Sequence, residues 1–132
     1  MSAWRSETSS DLADARKRIE SAVKDISGEP SEEQMGSVWM AYVHVEKSIA
    51  FIRVELDEEN PGRFLKAKRY SVPDERQALG FALKNLKKGT ESFELGDFSR
   101  ALVELRESRN YLRVLLREKR LQKTRNARQK RS

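Results

Sequence analysis

His44 is the single histidine of a 132-residue chain that has no cysteine, so any nucleophile–histidine chemistry would have to be built around it. A catalytic histidine needs a nucleophile or a carboxylate within reach. The surrounding "AYVHVEKS" contains no motif that places one. Carboxylate-bridged metal sites in helical bundles use Glu-x-x-His, because that spacing turns both ligands inward. Here the residue three before His44 is Ala41, and there is no second histidine. Gly80, Gly89 and Gly96 form no phosphate-cradling loop after a strand. His44 is therefore expected to be a hydrogen-bonded structural residue, and the chain to be non-enzymatic, with no catalytic residue, metal or cofactor.

Charge gives the stronger pattern. Of 27 bases and 21 acids, eight bases and one acid fall in residues 117–132, leaving 19 bases and 20 acids in residues 1–116. The body is close to neutral and the C-terminal arm carries the excess. A terminus loaded with one sign of charge is typically an interaction arm for a polyanion. At helical spacing Arg113, Arg117, Arg120, Thr124, Arg128 and Arg131 fall on one face, with Lys119, Lys123 and Lys130 on an adjacent strip and Arg125 between turns. Like charges four apart, as in Arg113/Arg117 and Lys119/Lys123, repel by a few tenths of a kcal/mol per pair. Apolar anchoring stops at Leu121, so the arm is expected to fray in isolation and to order against phosphates.

A second basic cluster, "GRFLKAKRY", sets Arg63, Lys66, Lys68 and Arg69 beside Phe64 and Tyr70. Bases interleaved with aromatics suit backbone contacts plus stacking, although Phe64 and Leu65 equally suit pinning of the link to the body. The acidic runs have local explanations. "SEEQ" compensates a helix N-terminus, and "DEEN" at 57–60 closes a helix beside Arg63 and Lys66.

The elements that must carry these groups are helical. Breaks at "SGEPS", "EENPGR", "YSVPDE" and Gly96-Asp97 divide the chain, and between them apolar residues step by three and four. The spacing predicts helices over about 10–27, 32–58, 74–95 and 97–121, with residues 1–116 forming a bundle and 117–132 a basic arm, helical or disordered. Leu12, Ala15, Ile19, Ala22 and Ile26 make one stripe. Ser31 and Gln34 form a capping box, after which Met35, Val38, Tyr42, Val45, Ile49, Ile52 and Leu56 follow without interruption. β-branched residues in 43–54 also fit a strand, but the heptad spacing favours a helix. Trp39, Val43, Ala50, Phe51 and Val54 widen this stripe, so the second helix must be enclosed by neighbours or shared with a second subunit. Trp39 is expected in the core. Trp4, placed before the first helix, docks on the bundle or on another copy. Leu79, Ala82, Leu86, Gly89 and Phe93, then Phe98, Ala101, Leu105, Ser108, Leu112 and Leu115, complete the pattern of an antiparallel four-helix bundle.

Residues 87–108, "KKGTESFELGDFSRALVELRES", resemble a single tetratricopeptide-type helical hairpin. Gly89 stands seven residues before Gly96-Asp97, and Phe98, Ala101, Leu105 and Ser108 follow at that family's spacing. Ser92 departs from it, standing where an aromatic is usual, and no second copy follows, so no solenoid is implied. The hairpin is also similar to that of HEPN-type bundles, which act around nucleic acids in prokaryotes. Their ribonuclease members carry an Arg a few residues before His, whereas no Arg lies between 19 and 52 here.

Together these features lead to an expected non-enzymatic, cytoplasmic, nucleic-acid-binding protein that grips the backbone of DNA or RNA. Homodimerisation through residues 32–58 is the expected cover for the second helix. Two alternatives stand beside it. One is a protein-interaction adaptor whose basic tail serves solubility. The other is a packaging or viral coat protein lining a nucleic acid. The tail lacks the bulky apolar face of a membrane-surface helix, and the apolar stretch from Val38 to Leu56 is broken by His44, Glu46, Lys47 and Arg53.

Overall fold

The computed structural model describes residues 3–25, 31–56 and 75–130, and among these it is helical apart from a cap and a turn. Four helices follow in order, α1 (Ala3–Asp25), α2 (Glu32–Leu56), α3 (Glu75–Glu94) and α4 (Phe98–Lys130). α1 packs on α2 and α3, and α4 packs on the same two, so one core lies between all four. Neighbours run in opposite directions. Glu7 and Asp11 of α1 meet Lys47 and His44 of α2, and Glu75, Ala82 and Ser92 of α3 meet Lys119, Ser108 and Glu104 of α4. The start of α1 lies against the end of α3 through Trp4 and Phe93. The end of α2 and the start of α3 consequently sit at opposite ends of the assembly.

The expected apolar stripes form the core. Leu12, Ala15 and Ile19, then Val38, Val45 and Ile52, then Leu79, Ala82 and Leu86, and finally Ala101, Leu105 and Leu112 are all fully buried. At roughly 1.5–3 kcal/mol for each large apolar side chain, this burial outweighs the surface ion pairs. Ile26 lies outside the described residues.

α1 begins seven residues earlier than its expected start near residue 10. The polar run "SETSSD" resembles a cap cluster, but tertiary contacts override it. Trp4 lies inside the helix and meets Phe93 and Phe98 edge-on, with ring centroids 5.9 and 5.4 Å away. Such pairs contribute about 0.5–1.5 kcal/mol beyond their buried area. Trp4 thus docks on its own chain. Arg5 lies over the Phe98 ring at 5.1 Å.

α2 starts at the capping box: Gln34 N–H donates to Ser31 Oγ at 3.1 Å, and Ser31 N–H donates to Gln34 Oε1 at 2.8 Å. The placement of Trp39 in the core is corrected. Trp39 is 52% exposed and stacks on Tyr42 at 5.5 Å. Among the described helices α2 touches only α1 and α4, so it has two covered flanks and an outer face that no other described helix reaches.

Between α3 and α4 the reversal is made by two residues. Gly96 adopts φ +81° and its N–H donates to Phe93 O, while Asp97 N–H donates to Ser92 O. This double bond pattern satisfies the last carbonyls of α3. Asp97 also caps the next helix, accepting from Arg100 N–H at 3.2 Å. The hairpin closes tightly at Gly89, where an added Cβ would sit 2.7 Å from Leu105 Cδ2. Ser108 Oγ donates to Ala82 O at 2.7 Å across the same contact.

Candidate nucleic-acid interface

α4 is 33 residues long and α3 only 20. At 1.5 Å per residue that is about 50 Å against about 30 Å. The first residue of α3, Glu75, accepts from Lys119 Nζ at 2.7 Å. Residues beyond 119 therefore have no α3 beside them, and the last eleven extend α4 by about 16 Å. The expected end of this helix near 121 is thus exceeded: the backbone stays helical through Lys130. No Gly or Pro follows Gly96, so no residue type in the remaining sequence breaks the helix. Thr124, an indifferent helix former, donates its hydroxyl to Arg120 O at 3.0 Å.

Arg113, Arg117, Arg120, Arg125 and Arg128 are all exposed. Among the described residues, none of the five is in an ion pair. Arg113, Arg117, Arg120 and Arg128 share a face that begins alongside the body and continues onto the overhang. Lys119 differs from its expected role. Its side chain is only 16% exposed and its charge is matched by Glu75, so it joins α4 to α3 and does not belong to the outward set. Residues Arg63, Lys66, Lys68, Arg69 and Arg131 lie outside the described residues, as do the side chains of Lys123 and Lys130.

His44 is paired with a carboxylate that its local sequence does not reveal. Its Nδ1 lies 2.8 Å from Asp11 Oδ1, 33 residues away on α1. Lys47 Nζ lies 2.9 Å from Glu7 Oε1 and 3.3 Å from Asp11 Oδ2. The hydrogen bonds that the Lys47 ammonium donates to Glu7 and Asp11 raise its pKa. Ser48 spends its hydroxyl on the His44 carbonyl at 2.9 Å. On the other flank of α2, Arg109 is buried on α4 and reaches Glu46 Oε1 at 3.2 Å. Sequence reading missed Asp11 and Arg109 as core-facing groups; their signal was position, since each falls at an inward step of its own helix. Among the described residues no three His, Asp or Glu side chains are grouped to hold a metal ion, and no helix is long and apolar enough to cross a membrane.

No known family model, curated protein or solved structure matches the chain.

Proposed function

We propose that this chain is a cytoplasmic, non-enzymatic antiparallel four-helix bundle that binds DNA or RNA along the phosphate backbone through the C-terminal part of α4. The observation that carries this reading is the set of five exposed arginines, Arg113, Arg117, Arg120, Arg125 and Arg128, none in an ion pair among the described residues. They stand on a helix that outruns its neighbours. Guanidinium groups present paired donors that match phosphate oxygens, and their charge survives at any physiological pH. A bare helix is narrow enough to enter the major groove, and with its arginines along one side it can follow the phosphates of one wall. Recognition by charge and shape is expected, with little discrimination among base sequences.

The test is a gel shift with duplex DNA and with RNA at 50 and 200 mM salt, comparing the full chain with one ending at Leu116. Five neutralised phosphates correspond to a log–log salt slope of about −4.5, or about 500-fold weaker binding across that range. The shortened chain should lose the shift. Equal binding by both chains removes the arm from the account, and absence of binding at low salt by the full chain refutes the reading.

A further inference from the structure

One ion pair fixes how the edges of α2 and α4 meet: Arg109 of α4 reaches Glu46 of α2 at 3.2 Å. Because α1 opposes both α2 and α3, and α3 opposes α4, α2 and α4 also run in opposite directions. Residues that precede Glu46 therefore lie level with residues that follow Arg109. At about 100° per residue, Trp39, seven before Glu46, keeps its bearing to within about 20°, and Tyr42, four before, to within about 40°. On α4, Arg113 and Arg120 stand within about 40° of the bearing of Arg109, and Arg117 about 80° from it, further outward. The rises agree as well. Trp39 lies about 10 Å from the ion pair along α2, between the levels of Arg113 at about 6 Å and Arg117 at about 12 Å. An aromatic pair and three arginines thus border the same stretch of one seam.

Trp39 and Tyr42 are stacked with 27° between their ring planes, and Trp39 is half exposed. The three arginines are exposed and, among the described residues, in no ion pair. The one acid after residue 109 is Glu118, about 180° from the bearing of Arg109. Glu46 is already matched by Arg109, and Glu32 begins α2 about 10 Å beyond Trp39. The arginines call for an anion and the rings for a flat apolar group, and every nucleotide carries both. In a duplex the bases are paired and stacked on one another, so only its phosphates can reach the seam. We infer that the α2–α4 seam is a platform for single-stranded nucleic acid, with a base stacked on Trp39 and flanking phosphates held by Arg113, Arg117 and Arg120. This rests on backbone binding by α4 and names the strand form that the body takes. Stacking tolerates any base, since each has a π-face.

The chain has two tryptophans, so Trp4→Phe leaves Trp39 as the sole reporter by its emission. Short oligo-dT and oligo-U should quench it, whereas duplex DNA and inorganic polyphosphate should bind and leave it unquenched. Trp39→Ala should weaken single-strand binding by about 5- to 150-fold, with duplex binding and helical circular dichroism unchanged. Trp39→Phe should restore most of the loss. Arg113→Gln with Arg117→Gln should flatten the single-strand salt slope by about 1.4, whereas Trp39→Ala should leave that slope as it is. Single-strand binding without quenching, or a Trp39→Ala loss shared equally by the duplex, would overturn the platform and leave the arm standing. Failure of the full chain to bind any of the four probes at low salt would refute both.

Discussion

Between Phe98 and Leu116 the last helix buries Ala101, Leu105, Ser108, Leu112 and Leu115 against α2 and α3, and even its inward arginine, Arg109, finds a carboxylate. From Arg120 to Lys130 the same helix has no neighbour along α3, and the described side chains are exposed. One backbone geometry thus serves two chemistries. In the first half residue size is dictated by the space between helices. In the second half charge is the remaining constraint. Stability and binding should therefore separate along a single helix, at about the position where Lys119 meets Glu75.

Mutations can break or sharpen that division. Leu112→Ala, in the packed half, should cost about 2–5 kcal/mol, read as a lower denaturation midpoint at unchanged slope. A cost below 1 kcal/mol would mean that α4 is not held by its core face. Gly89→Ala comes next. Its methyl would meet the side chain of Leu105, which is fully buried. Overpacking of about 1–3 kcal/mol should exceed the gain of about 1 kcal/mol in helix propensity. The same change at Gly80, where an added Cβ meets nothing within 4 Å, should stabilise instead. If both behave alike, the close approach of α3 and α4 is not what selects glycine at 89. Smallest of all, Arg125→Gln with Arg128→Gln should leave stability within about 0.5 kcal/mol while flattening the salt slope for polyanion binding by about 2. Destabilisation by that pair would mean the overhang contributes to the fold.

The packed half was the more legible one. Apolar periodicity named most buried positions of α3 and α4, missing Ala78 and Arg109 among others, and the Ser31–Gln34 box and the Gly96-Asp97 reversal were readable because each satisfies backbone groups locally. What was not legible depended on residues distant in the chain. The early start of α1 rests on Trp4 finding Phe93 and Phe98, and the setting of His44 rests on Asp11. Trp39 was misplaced for a related reason. Hydrophobicity indicates that a side chain avoids water, but it does not count how many helices are available to cover it. Of the candidate interface, the arginine face was visible as a charge pattern. The withdrawal of Lys119 was not, since it depends on where α3 begins.

Helix α4 passes from core to overhang with no hinge, turn or proline between Leu115 and Lys130. The arm and the body are therefore locked in rotational phase. Removing one residue from 120–124 would turn the distal arginines by about 100° about the helix axis while leaving every packed residue in place, whereas removing seven from 118–124 would nearly restore their bearing on a shorter arm.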